Sequence, residues 1–197
     1  MLKIVLIGMG YVLGFLILSV YSCQPNHRYL YEKFEVSVID EGGTHSNCDV
    51  LLKIRGTEFD DGFDAGSKMR LSSFKSPYSI LIKYRFPKTD TGVVTLQELS
   101  FVQNGAEVRS FQPNIEEEFD NITEYRRGGI PKVREEDESR AIFLLEDVDL
   151  PHEEMVVKIK SQISRQNSKT VSNCTFKISP FTEEDLRNDQ LDAFSSV

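Results

Sequence analysis

The densest group of chemically capable side chains is Glu58-Phe59-Asp60-Asp61-Gly62-Phe63-Asp64. Clustered carboxylates beside a glycine can ligate calcium through oxygen. Their spacing does not match the EF-hand loop, and no residue nearby in sequence completes a ligand set. A solvated acidic loop explains the same residues. Metal sites need ligands that converge at short helical or loop spacings. His27, His45 and His152 stand far apart, and His152-Glu153-Glu154 lacks the second histidine of a zinc-protease helix. No Gly-x-Ser-x-Gly elbow occurs. Neither Gly66-Ser67-Lys68 nor Gly128-Gly129 completes a phosphate-binding loop. Dispersed carboxylates can meet in any fold and support glycosidase chemistry, but no local pattern points to them. These residues predict a protein that is not an enzyme and uses no cofactor and no metal. A ligand- or calcium-binding protein using residues 57–66 is the alternative, and a hydrolase with dispersed carboxylates is the third reading.

The elements that must position such residues read mainly as strands, whose side chains alternate between faces. Phe34, Val36 and Val38 alternate with Glu35 and Ser37, and Glu41-Gly42-Gly43 supplies a turn. Residues 48–55 alternate in the same way. Ile80, Ile82, Tyr84 and Phe86 form a third apolar row, stopped by Pro87. Residues 93–102 are apolar and β-branched. Asn104-Gly105 takes positive φ cheaply and favours a type I′ turn, so residues 96–111 read as a hairpin pairing Phe101 with Val108 and Leu99 with Ser110. Residues 141–148, the row Met155, Val157 and Ile159, and residues 170–179 complete about eight strands. With no helix between most of them, the expected fold is mainly β: an antiparallel β-sandwich, immunoglobulin-like or similar.

One or two short helices are expected beside it. Asn114 followed by Glu117 matches a capping box, Ile115, Phe119 and Ile122 recur at helical spacing, and Gly128-Gly129 ends the segment. A second helix is expected from Thr182, with Phe181 and Leu186 placed as a hydrophobic staple.

Composition narrows the class. The chain has 197 residues, a net charge of −8, 40% hydrophobic and 27% charged residues, three cysteines and no tryptophan. One folded domain of ordinary size fits these figures. Disorder is excluded by the hydrophobic share, and a disulfide-dense miniprotein by the cysteine count. An acidic surface repels phosphate backbones, so no nucleic-acid partner is expected.

The N-terminus carries an address. Lys3 is the only charged side chain before Arg28, and residues 4–20 run IVLIGMGYVLGFLILSV. A basic start, an apolar stretch and small residues at its end make a secretory signal pattern; the length also permits an uncleaved anchor. Val20-Tyr21-Ser22-Cys23 resembles the lipobox of bacterial lipoproteins. Val20 and Ser22 match its branched-apolar and small positions, while Tyr21 departs from the small or β-branched residue usual there. The resemblance covers about the first 23 residues. It implies cleavage before Cys23 and acylation of that cysteine, with chains such as palmitate. Gln24, where an aspartate would favour the inner membrane, implies the outer membrane, on the periplasmic side. Several acyl chains anchor firmly without a spanning helix.

With Cys23 so assigned, Cys48 and Cys174 remain. Each is in phase with the apolar set of its own strand. An exported protein sits where disulfides persist, so a Cys48–Cys174 bridge is expected, with two buried thiols as the alternative.

The expected organisation is a signal peptide over 1–22, a lipidated tether over 23–30, and a β-sandwich domain over 31–180. Excursions at 56–77 and 112–140 interrupt the sandwich, and a short helix and tail occupy 181–197. The stretch 112–140 holds nine acids and five bases. Interleaved charge and aromatics suit a protein-binding surface, which makes Phe119, Tyr125, Arg126 and Arg127 candidates for a partner not identified by the sequence. A solvated cover over a sheet edge explains the same stretch. The functional expectation is a cell-envelope lipoprotein acting as a non-enzymatic interaction or assembly module on the membrane surface.

Overall fold

Apolar–polar alternation continues well past the segments read from sequence. The structure, a computed structural model, describes residues 26–39, 49–127 and 130–187. Among them are nine strands: β1 His27–Val38, β2 Val50–Asp64, β3 Met69–Pro87, β4 Gly92–Gln103, β5 Ala106–Phe111, β6 Ile115–Arg127, β7 Ile130–Val148, β8 Met155–Arg165 and β9 Ser168–Arg187. Hydrogen-bonded neighbours follow the order β1-β9-β8-β4-β6-β7-β3-β2, with β5 beside β4 and a further pairing of β1 with β3. The pairing order therefore closes through seven strands, which is the topology of a β-barrel, with β2 and β5 outside the ring.

This corrects the expected β-sandwich. Two packed sheets would divide the pairings into two paths, and here there is one. Long strands interrupted by bulges explain the difference, because a bulge bends and twists its strand and lets a sheet curl. Register shifts occur at Tyr78/Ile80, Leu96/Glu98, Phe101/Val102 and Asp120/Ile122.

The expected helices are also corrected: no helix occurs among the described residues. An N-cap residue adopts an extended backbone, but Asn114 has φ 48° and turns the chain into β6. The helical stripe fails too, since Phe119 is 1% exposed while Ile115 and Ile122 are 42% and 53% exposed. Pairing with β4 and β7 satisfies the β6 backbone on both sides. Residues 182–187 continue β9, and the Asn26 N–H donates to the Arg187 carbonyl at 2.9 Å. Helix propensity is a weak prior when a strand partner is present. The two excursions are likewise strands, 56–77 lying largely in β2 and β3 and 112–140 in β6 and β7. Residues 27–30, read as tether, begin β1.

The Asn-Gly turn forms as its chemistry requires, with φ 49° at Asn104 and 79° at Gly105. A bulge shifts the expected register by one residue, so Phe101 faces Arg109 and Leu99 faces Phe111.

The described chain divides into two units. The larger comprises residues 32–39 and 49–57 with Lys75–Phe181, and it holds the hydrophobic core. Inward rows come from β3 (Ile80, Ile82, Tyr84, Phe86), β4 (Val94, Leu96, Leu99, Phe101), β8 (Met155, Val157, Ile159) and β9 (Cys174, Phe176, Ile178). Burying a large apolar side chain contributes roughly 1.5–3 kcal/mol. The smaller unit comprises residues 26–31, Glu58–Phe74 and 182–187. There β1 runs parallel to β3, pairing His27 with Arg70 and Tyr31 with Phe74. The rings of His27 and Tyr29 stack at 4.0 Å, and those of Tyr31 and Phe74 at 4.6 Å.

Candidate functional site

In the larger unit, the inward face of β8 continues past the core as Ser161, Ile163 and Arg165. That of β9 continues as Ser172 and Thr170. These positions hold the phase of Ile159 and Cys174, and all but Ile163 carry polar groups. β1 lies between β9 and β3 in the pairing order. Just past its end, the Ile39 N–H donates to the Thr175 carbonyl at 2.9 Å, and residues 170–173 of β9 lie beyond that bond. There a cavity of about 510 Å³ is lined by Thr170–Asn173 of β9, Tyr84–Pro87 of β3, Asp49, Val50, Ile163 and Arg165. That volume is within the usual range of small-molecule sites.

The lining combines apolar walls with hydrogen-bond donors. Val50, Tyr84, Phe86 and Ile163 supply apolar surface. The Arg165 Nε donates to Asp90 Oδ2 at 3.1 Å, and its guanidinium lies 5.6 Å from the Phe86 ring centroid. A planar guanidinium stacked this way keeps its outer N–H groups available for an anion. The Arg85 Nε is 3.9 Å from Asp49 Oδ1, with both side chains well exposed, a spacing that holds neither group tightly. Asp49 is the one carboxylate among the described lining residues.

Tyr84 is 2% exposed, and its hydroxyl has no hydrogen-bond partner of acceptable geometry; the buried Ser161 hydroxyl is in the same position. Burial raises the Tyr84 pKa, while the neighbouring Ser161 hydroxyl acts in the opposite sense. Most buried polar groups are paired, and an orphan asks for an explanation. Tyr78 shows the contrast. It is fully buried on the same row of β3, yet its hydroxyl donates to Glu32 Oε2 at 3.2 Å.

The residues singled out by sequence lie elsewhere. In the smaller unit, Asp60 accepts from Arg70 Nη2 at 2.5 Å and from the Gly62 N–H at 3.1 Å. Asp64 accepts from the Gly66 N–H at 2.9 Å and the Ser67 hydroxyl at 2.6 Å. These bonds hold both carboxyls below the usual carboxylate range. The acids stabilise the β2–β3 turn. No three His, Cys, Asp or Glu side chains are grouped to hold a metal among the described residues.

Phe119 packs inward, its ring stacked 4.0 Å from that of Phe86. Tyr125, Arg126 and Arg127 follow on β6, and their side chains lie outside what the structure describes. Cys23, Cys48 and His45 lie outside the described residues. Cys174, the one described cysteine, is disulfide-bonded and buried on β9, with its sulfur 3.7 Å from the Ser172 hydroxyl. His152 Nε2 is 3.0 Å from the Lys33 carbonyl, and its ring meets Phe34 edge-on. His27 Nε2 lies 2.9 Å from Ser72 Oγ, but at 6% and 4% exposure the pair ties two strands together and leaves little access to a substrate.

Sequence reasoning missed Tyr84, Arg85, Arg165 and Ser172 as site residues. The available signal was phase. An arginine in register with Met155, Val157 and Ile159 places a cation on an inward row, where it must find a partner or line a cavity. No family model, curated protein or solved structure matches the chain.

Proposed function

We propose that this chain is a non-enzymatic, lipid-anchored binding protein of the bacterial cell envelope whose β-fold holds a small-molecule cavity. The single observation that carries the binding part is the cavity of about 510 Å³ itself, where Thr170, Ser172 and Arg165 meet the apolar Val50, Phe86 and Ile163. A mostly apolar wall with a few placed polar groups is the usual make-up of a small-molecule site.

The anchor part rests on the resemblance of Val20-Tyr21-Ser22-Cys23 to a lipobox. An acidic protein is repelled by anionic headgroups, so acyl chains on Cys23 would supply the attachment that charge does not. Mass spectrometry of the mature protein tests this part. The expected N-terminus is an acylated Cys23 with residues 1–22 removed, and an unmodified Met1 overturns it. A ligand-binding role expects saturable, one-to-one binding of a small amphipathic compound, and the cavity-filling variant Ser172→Trp should abolish it. Binding unaffected by that variant overturns the assignment to this cavity.

A further inference from the structure

The hairpin of β6 and β7 parts into two legs and leaves a strand edge unpaired. The two strands pair from Arg127 and Ile130 as far as Asp120 and Arg140, and no further. Beyond that point β6 runs along β4 from Phe119 to Ile115, while β7 runs along β3 to Val148. Residues 141–148 of β7 are therefore paired on one side only among the described residues. We infer that this free edge, at residues 141–145, docks an extended peptide segment of a partner protein in which basic and apolar residues alternate. The edge is separate from the cavity, which has no wall residue on β6 or β7.

The edge is unprotected. Natural proteins blunt free edges with charges, prolines or bulges. β5 shows that treatment: it carries Glu107 and Arg109, and its pairing with β4 shifts at Phe101/Val102. Residues 141–145 read Ala-Ile-Phe-Leu-Leu, with no charge, proline or glycine. Their register with β3 is unbroken from Ile80 to Pro87. Ile142 and Leu144 are 43% and 55% exposed, while Ala141 and Phe143 between them are buried on the inner face. Such an edge presents the N–H and C=O of every second residue to an incoming strand. Extended peptides add to edges of this kind through main-chain hydrogen bonds, and their alternate side chains give specificity.

The space beside the edge is open and acidic. Ile115 and Glu117 are the cross-strand partners of Leu96 and Val94, both fully buried, so they lie on the inner face of β6. Ile115 is nonetheless 42% exposed and Glu117 only half-buried, as a parting of the legs open to solvent requires. Glu117 and Glu118 have no hydrogen-bonded or ion-paired partner among the described residues, and Glu116 accepts only from the Thr95 hydroxyl at 3.4 Å. An alternating strand answers both features. Its apolar residues lie beside Ile142 and Leu144 on the outer face, and its basic residues, on the opposite face, approach Glu117. Glu116 and Glu118 add to the negative potential that attracts a cationic segment and rejects an acidic one. Covering Glu117 without a cation would leave a charge desolvated and unpaired.

Fluorescence anisotropy of the full chain with a labelled heptapeptide of alternating lysine and valine tests this. The expected result is saturable, one-to-one binding, and no binding of the corresponding glutamate–valine peptide. Two further versions, N-methylated at the valines or at the lysines, keep the charge. The one whose methyl groups face β7 should bind at least about tenfold more weakly, as loss of several main-chain hydrogen bonds predicts. Leu144→Ser, at an exposed position, should also weaken binding, and Glu117→Gln should do so about threefold, as a solvent-screened pair predicts. Thermal unfolding of both variants is followed in parallel, and the methylated peptides keep the test open if either variant does not fold. Equal binding of all three lysine peptides overturns the edge and leaves only attraction between a basic peptide and an acidic protein. Equal binding of the glutamate–valine peptide overturns the basic partner. No peptide binding, with self-association in analytical ultracentrifugation that Leu144→Ser abolishes, overturns the inference in favour of a second copy of the chain. No peptide binding and no self-association overturns the docking edge altogether.

Discussion

The ring of Phe119 lies directly over the Cα of Gly92. The two residues are cross-strand partners, and a Cβ placed on Gly92 would meet Phe119 carbons at 2.8 and 2.9 Å and the Ser164 carbonyl oxygen at 2.2 Å. Glycine is required there by the close approach of a ring on one side and a backbone on the other. β4, β6 and β8 meet around this contact, next to the Phe86–Phe119 stack.

Gly92→Ala should therefore destabilise the protein by about 3 kcal/mol, the upper part of the overpacking range, because a backbone oxygen cannot move aside as a side chain can. Phe119→Ala should cost roughly 3–5 kcal/mol through the cavity it leaves. Urea unfolding checks both, with the midpoint lowered and the slope unchanged.

Tyr84→Phe and Tyr78→Phe should have opposite signs although both side chains are buried on β3. Tyr84→Phe removes an unpaired hydroxyl and should stabilise the ligand-free protein by about 1 kcal/mol. Tyr78→Phe removes a hydrogen bond to Glu32 and should destabilise it by about 1 kcal/mol. Denaturation midpoints of the two variants decide the matter. A loss in both would mean that the Tyr84 hydroxyl is satisfied in solution.

Acid should weaken the β3–β7 pairing at one identifiable point. The Lys83 ammonium donates to Glu138 Oε1 at 2.5 Å and holds that carboxyl below its ordinary value near 4.5. A folded-state pKa below the unfolded one contributes stability above the unfolded pKa and loses it as pH falls through the folded pKa. The Glu138 contribution should therefore fall away below about pH 4.5. It is no larger than about 1 kcal/mol, since the pair is partly exposed. Stability measured from pH 7 to pH 3 should show a shallower acid limb in Glu138→Gln.

Calcium at a few millimolar should leave the melting temperature unchanged. A ligand of the native state raises apparent stability by mass action, but Asp60 and Asp64 already accept hydrogen bonds from Arg70, Gly62, Gly66 and Ser67. A rise in melting temperature that chelator reverses would show these acids to be ligands after all.

Much of the strand layout was legible from residues alone. The rows of β3 and β8 read correctly because alternation is set by each residue's immediate neighbours. The turn at Asn104-Gly105 read correctly because positive φ is a property of those two residues. The segment 115–127 misled because Ile115, Phe119 and Ile122 fit a helical stripe, while only the pairing with β4 and β7 showed that Phe119 alone is buried among them. The candidate cavity was less legible than the strands. Tyr84 read as one more core position, and nothing local distinguishes its unsatisfied hydroxyl from the bonded one of Tyr78.

The sequence by itself determined which side chains share a face, where the Asn-Gly turn falls, and that the described chain is mainly β. Those features follow from backbone dihedrals and nearest-neighbour alternation, which are local. Only the tertiary structure decided that one continuous order of pairings closes through seven strands, and that polar residues at the ends of inward rows gather around a cavity. Such outcomes depend on partners far apart in the chain, as where Ile39 meets Thr175. The free energy of pairing belongs to two strands together, so it is written in neither strand alone.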